Sequence, residues 1–219
     1  MFSKTQSNHS HAISTNKVLA NTYRLLAMTT AFSAVTAGLG VLLNLSFVVG
    51  FVCTLAAFGV LFIVNKKAES AQGILWTFVF TGLLGLALAP MLSHYLSLAN
   101  GGALVTQALV STSVVFFSLS GYALTTKKDF SFMGAFLVVG LIVAIVTAIA
   151  NIFLQIPALH LAINAAIVFI MSGFILFDTS RIIHGGETNY VRATVAMYLN
   201  LYNLFTSILQ LLGAFSSDD

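Results

Sequence analysis

Long runs of apolar residues separated by short polar stretches dominate the chain from residue 25 onward. Seven runs have no charged residue and reach about 18 residues or more, which is the length that a helix needs to cross a bilayer. They cover residues 25–45, 47–64, 74–92, 105–124, 132–154, 159–177 and 193–215. The runs lack the ten-residue alternation of a transmembrane barrel. The pattern therefore predicts an all-α fold, a polytopic membrane protein built as a bundle of seven transmembrane helices.

The composition excludes most other classes of protein. Of the 219 residues, 58% are apolar and 7% are charged, whereas about a quarter of an average soluble domain is charged. The net charge of +3 comes from few and scattered basic residues, so we expect no nucleic-acid partner. The single cysteine, Cys53, excludes an internal disulfide.

The basic residues predict the orientation of the bundle in the membrane. With seven spans, all nine Lys and Arg residues fall on the same side, and the three loops on the other side have none. Along the chain these residues are Lys4, Lys17, Arg24, Lys66, Lys67, Lys127, Lys128, Arg181 and Arg192. Basic loops face the cytoplasm, so we expect a cytoplasmic N-terminus and a periplasmic C-terminus. The predicted organisation is a flexible polar cytoplasmic tail (1–22), the transmembrane domain (23–215) and a short periplasmic tail (216–219).

Asp178 is the most conspicuous ionisable group, because it closes the sixth span and Arg181 follows it three residues later. That spacing brings the two side chains to nearly the same face of a helix. One interpretation is an ion pair that anchors the helix end at the cytoplasmic interface. The other is a proton-sensitive gate, since ionisable groups beside a membrane span are costly and are often functional.

Two spans have a polar face. In the seventh span, spacings of three, four and three place four uncharged polar residues on one side of the helix: Asn200, Asn203, Ser207 and Gln210. In the fifth span, three more are spaced four apart: Thr147, Asn151 and Gln155. We expect both faces to line the interior of the bundle. They would serve either as hydrogen bonds between helices or as the lining of an ion or proton path.

Sites for catalysis, metals or cofactors are not predicted. No serine lies in a defensible arrangement with His and Asp, and no HExxH zinc motif, phosphate-binding loop or dinucleotide fingerprint occurs. His184 and Glu187 are separated by two glycines, which favours a structured turn over a metal site. We therefore expect no enzyme activity, no cofactor and no resident metal.

Several segments resemble a known family. They are residues 17–26, 124–132, 151–155, 182–190 and 202–205, and they span almost the whole chain from Lys17 onward. Together they resemble the Bax inhibitor family of seven-helix membrane proteins, and within it the bacterial YccA-like branch. The resemblance implies a multi-pass protein of the bacterial inner membrane.

The resemblance also implies two functions. Members of the family are known for a pH-gated calcium leak attributed to two aspartates on the last two core helices. The first matches Asp178, but Asn200 occupies the position of the second and cannot titrate, so the pH switch would be incomplete here. The YccA-like branch implies instead a partner, the membrane-anchored ATP-dependent FtsH protease, for which such proteins are both substrates and inhibitors. We expect protease modulation first, with a pH-sensitive calcium or cation leak as the alternative.

Overall fold

A computed structural model describes the backbone of residues 2–216 and the side chains of residues 15–216. Within this part the chain is helical and has no strand. The elements are α1 (Phe2–Leu42), α2 (Phe47–Lys67), α3 (Ala71–Leu96), α4 (Gly101–Thr126), α5 (Gly134–Leu154), α6 (Pro157–Ile183) and α7 (Tyr190–Ser216), with a short 3-10 helix (Ser131–Met133) before α5. All seven α-helices are long and apolar enough to cross a membrane. The prediction of seven transmembrane helices is confirmed.

The helices extend further into polar sequence than the apolar runs indicate. α6 continues past residue 177 and includes Asp178 and Arg181, and α1 includes residues that the sequence assigned to the polar tail. Thr22 is fully buried, and its side chain donates to the Val18 carbonyl at 2.8 Å. Packing therefore begins before the predicted boundary at residue 23. The flexibility of residues 1–14 stays a prediction, because their side chains lie outside the described part, as do residues 217–219 of the predicted C-terminal tail.

The chain divides into two compact units. The first comprises Met1–Ser97 and Ile182–Tyr198, which contain α1, α2, α3 and the beginning of α7. In this unit α1 and α2 each pack along α3. Hydroxyl-bearing side chains are prominent in its interior, where five threonines of the described part are fully buried: Thr22, Thr29, Thr77, Thr81 and Thr194.

Asn189 fixes the start of α7 within the first unit. Its side-chain oxygen accepts hydrogen bonds from the backbone amides of Val191 (2.9 Å) and Arg192 (3.2 Å), which have no partner inside the helix. Its side-chain nitrogen donates to the Ala68 carbonyl at 3.0 Å, and Arg192 forms an ion pair with Glu69 at 3.2 Å. The loop between α2 and α3 is thereby joined to the first turn of α7.

The second unit comprises Leu98–Arg181 and Leu199–Asp219, which contain α4, α5, most of α6 and the end of α7. α5 approaches α6 closely at two glycines. A Cβ atom on Gly173 would lie 2.5 Å from Leu137 Cδ2, and one on Gly134 would lie 2.7 Å from Phe177 Cε2. Small residues at these positions let the helices pack at short range, as is common in membranes.

Candidate buried carboxylate site

Asp178 and Asn200 form a direct contact between α6 and α7 in the second unit. The Asn200 side-chain nitrogen donates to Asp178 Oδ2 at 2.7 Å. Asp178 is 8% exposed and Asn200 is 6% exposed. A buried carboxylate is costly unless it is hydrogen-bonded, and the amide provides one such bond without adding a second ionisable group. The pair therefore has only one carboxyl group that can gain or lose a proton.

The residues after Asp178 join α6 to the segment before α5. Thr179 and Ser180 are fully buried. The Ser180 hydroxyl accepts from the Phe130 backbone amide at 2.9 Å and donates to the Lys128 carbonyl at 3.3 Å. These bonds hold the α4–α5 connection against the turn of α6 that carries Asp178.

Arg181 lies in the last turn of α6, beyond the end of the predicted span at residue 177. Its guanidinium carbon is 5.5 Å from the centroid of the Phe177 ring, within the range of a cation–π interaction. Phe177 and Arg181 are four residues apart and therefore share a face of the helix. The ion pair between Arg181 and Asp178 stays a prediction.

Two of the other polar residues of the seventh span, Asn203 and Gln210, bond within their own helix. The Asn203 amide donates to the Leu199 carbonyl at 2.8 Å, and the Gln210 amide donates to the Thr206 carbonyl at 3.2 Å. Ser207 is buried, at 2% exposure. The structure thus gives Asn200 a partner on another helix, whereas Asn203 and Gln210 are satisfied locally. A path-lining role for these residues stays a prediction.

The three polar residues of the fifth span do not all lie within the helix, because α5 ends at Leu154 and Gln155 follows it. The Asn151 side chain accepts from the Ile156 amide at 3.0 Å, and Gln155 is exposed with a left-handed φ of 53°. Both residues shape the turn that ends α5. Thr147 donates to the Val143 carbonyl at 2.8 Å within the helix. Spacing by four indicated a shared face, but it does not reveal that the helix ends inside the pattern.

Most of the basic residues used to predict orientation lie at or near helix ends, whereas Lys17 and Arg24 lie within α1. Lys66 and Lys67 form the last turn of α2, Lys127 follows α4 with a left-handed φ of 50°, and Arg192 is in the first turn of α7. Lys128 is exposed in the α4–α5 connection. Basic residues are expected at such positions when helix ends lie at a membrane boundary. The side of the membrane that they face stays a prediction.

A second polar cluster, which the hydropathy pattern did not indicate, lies in the first unit around Tyr198. The phenol oxygen of Tyr198 is 2.6 Å from the Ser33 hydroxyl, and it donates to the Thr81 carbonyl at 3.3 Å. Tyrosine had been counted as part of an apolar run, although its hydroxyl needs a partner when buried. The spacing of Thr22, Thr29 and Ser33 was an available signal, because intervals of seven and four place hydroxyls on one face of α1.

The described residues contain no group of three or more His, Cys, Asp or Glu side chains that could hold a metal ion. The site contains one buried carboxylate, which accepts a hydrogen bond from a neutral amide, between the last two helices of a seven-helix membrane protein. The fold defines the class, which is that of multi-pass helical membrane proteins.

Comparison with known proteins identifies the family. The family model described as Inhibitor of apoptosis-promoting Bax1 matches residues 15–217. An uncharacterized membrane protein of Vibrio cholerae is 51% identical over 220 aligned residues, which cover 100% of this chain and 98% of the relative. The Modulator of FtsH protease YccA of Escherichia coli K12 is 52% identical over 94% of both chains. A protein of Escherichia coli O6:H1 with the same identity and coverage is named Inner membrane protein YccA.

The chain belongs to the Bax inhibitor family. It is a multi-pass protein of the bacterial inner membrane, surrounded by the lipid bilayer. The names of the family and of its relatives describe an inhibitor and a modulator rather than a catalyst.

Proposed function

We propose that this protein binds and modulates a membrane-anchored ATP-dependent protease of the FtsH type, acting as an interaction protein and not as an enzyme. The observation that carries the proposal is the 52% identity, over 94% of both chains, to a relative named as a modulator of that protease. The protein would be engaged as a substrate and would occupy the protease while its packed helices resist extraction. Inhibition and degradation are then two outcomes of the same encounter.

The N-terminal segment is where we expect the protease to engage. Residues 1–14 are mostly polar and precede the part of α1 that packs, which begins before the buried Thr22. A polar segment with few apolar residues contributes little to a core and is suited to capture by an unfolding enzyme. Engagement there requires a cytoplasmic N-terminus, so the orientation is part of the proposal.

The orientation predicts where fused reporters are active. A reporter fused after Asp219 should be active only in the periplasm, and one fused near Lys127 should be active only in the cytoplasm, because the basic residues retain their side of the bundle in the cytoplasm. Paired alkaline phosphatase and green fluorescent protein fusions measure both compartments. Activity of both positions in the same compartment would contradict the seven-span topology.

Removing residues 3–14 should lengthen the lifetime of the protein several-fold in cells with active protease. The expected cause is loss of the segment that the protease grips, since the packed part of α1 is left intact. Pulse-chase labelling gives the lifetime, and cells with inactive protease give the baseline. The matched control replaces residues 3–14 with a Gly/Ser segment of equal length, which should restore degradation if length matters and sequence does not. An unchanged lifetime after the deletion would exclude the tail from the mechanism.

A second candidate function is a calcium or cation leak. The buried Asp178 favours it, because carboxylates within membrane helices often mark ion or proton paths. The amide at position 200 argues against pH gating by a pair of acids. Co-purification with the protease, together with calcium flux in vesicles, separates the two candidates.

A further inference from the structure

The hydrogen bonds of Tyr198 connect three helices of the first unit. Tyr198 belongs to α7, Ser33 to α1, and the carbonyl that accepts the phenol proton belongs to Thr81 of α3. Since the phenol donates to that carbonyl, the Ser33 hydroxyl donates to the phenol oxygen. Tyr198 is 3% exposed and Ser33 is 7% exposed. In the hydrocarbon region no water replaces a broken bond of this kind.

α1 and α3 are in close contact beside these bonds. A Cβ atom on Gly85 of α3 would collide with the Ser33 carbonyl and the Thr36 hydroxyl of α1. One turn away, a Cβ atom on Gly82 would lie 2.7 Å from Phe32 Cε1. α1 therefore packs almost directly on the backbone of α3 at the level of Ser33.

α1 has a further polar contact with α7 nearer its N-terminal end. The fully buried Thr194 hydroxyl donates to the Tyr190 carbonyl of its own helix at 2.7 Å and shares that proton with the Thr22 carbonyl of α1 at 3.3 Å. Thr194 and Tyr198 are four residues apart and so lie on the same face of α7. We call the two contacts, Ser33–Tyr198–Thr81 and Thr22–Thr194, the α1 clamp.

We propose that the α1 clamp sets the resistance of the protein to extraction by its N-terminus, and so determines whether the protease degrades the chain or is held by it. The inference rests on the proposed function. A protease that pulls on residues before Thr15 must withdraw α1 first, because α1 is continuous with that segment. Each polar contact of the clamp must break before α1 slides past α3 and α7, which makes the hydroxyl of Tyr198 a determinant of the extraction rate.

Tyr198→Phe is the most specific test, because it removes the hydroxyl and keeps the ring, which packs edge-on against Phe80 at 6.0 Å. Ser33→Ala removes the other hydroxyl, and the double variant reveals whether the two act as a pair. Tyr122→Phe is the matched control, since Tyr122 is 45% exposed on α4 and its ring contacts Phe130 at 6.0 Å.

The first measurement needs no protease. The full chain, held in bicelles, is pulled from its N-terminus with magnetic tweezers, and the rate at which α1 leaves is recorded at constant force. Tyr198→Phe and Ser33→Ala should each raise this rate by about threefold or more, as expected for loss of one hydrogen bond between membrane helices. Tyr122→Phe should leave the rate unchanged. Equal rates for Tyr198→Phe, Ser33→Ala and the unaltered chain would overturn the clamp.

The second measurement uses the purified protease with ATP in proteoliposomes. Tyr198→Phe should bind as the unaltered chain does and be degraded faster, and it should inhibit degradation of a second substrate less. Faster withdrawal of α1 in the tweezers without faster degradation of the bound chain would overturn the inference and leave the proposed function standing. If the unaltered chain neither binds the protease nor slows it, the proposed function fails, and the inference fails with it.

Discussion

Asn200→Asp should convert the buried pair into one that responds to pH. The Asn200 nitrogen lies 2.7 Å from Asp178 Oδ2, and both side chains are buried. Replacing the amide with a carboxylate would bring two oxygens to that distance, which is favourable only if a proton lies between them. Two carboxylates that close do not both ionise without a large penalty. The variant pair should therefore hold one proton and release it as the pH rises.

Calcium flux into dye-loaded vesicles measures the effect. The unaltered chain should show little flux, with little change between about pH 6 and pH 8, whereas Asn200→Asp should show pH-dependent flux. The variant should also become less stable as the pH rises, because the folded pair binds more protons than the unfolded chain. Its extra ionisable group costs about 2.5–3.5 kcal/mol at the bilayer centre and less toward the interface, so insertion should persist.

Two variants serve as controls for the pH response. Asp178→Asn combined with Asn200→Asp exchanges the two groups and leaves one carboxyl and one amide, so its flux should again be independent of pH. Asn203→Asp adds an acid at a half-buried position of the same helix, where the native amide bonds only locally to Leu199. Strong pH-dependent calcium flux through the unaltered chain would contradict the argument and favour the leak as the primary function.

Gly85→Ala should destabilise the first unit severely. The added methyl group would collide with the Ser33 backbone carbonyl, which does not move without displacing α1. Overpacking of this kind costs about 1–3 kcal/mol and sometimes more. We expect a lower yield of folded protein and a lower free energy of unfolding in mixed detergent micelles with increasing SDS. The single tryptophan, Trp76 on α3, provides the fluorescence signal.

Gly38→Ala is the matched control, because a Cβ atom at Gly38 of α1 would have no neighbour within 4 Å. The methyl group would face open space, and alanine has the better helix propensity by about 1 kcal/mol. This variant should be as stable as the unaltered protein or slightly more so. Equal stability of the Gly85 and Gly38 variants would show that α1 and α3 do not approach as closely as described.

The sequence predicted the number of helices because the cost of placing charge and unpaired backbone in lipid leaves few alternatives. It did not predict where they end. Polar residues such as Thr22 and Asp178 continue a helix as readily as apolar ones once neighbouring helices bury them, so a hydropathy boundary is not a helix boundary.

The candidate site was only partly predictable from the sequence. Asp178 and Asn200 were singled out, and the structure brings them together. The Ser33–Tyr198 contact joins residues 165 positions apart, and no local pattern encodes such a pairing. Asn151 and Gln155 had helical spacing, but the left-handed backbone at Gln155 ends the helix there. Periodicity indicates which residues share a face and leaves open what that face meets.

The amide at position 200 also has an evolutionary consequence. Asparagine and aspartate codons differ by a single base, so the chain stands one point mutation away from a pair of facing acids. Such a mutation arises repeatedly in any large bacterial population. Retention of Asn200 opposite Asp178 in a lineage then has two explanations. Under selection, cells with the Asn200→Asp allele leave fewer descendants; under drift, the two alleles are equal in fitness. Competitive growth of otherwise identical strains carrying each codon would distinguish selection from drift.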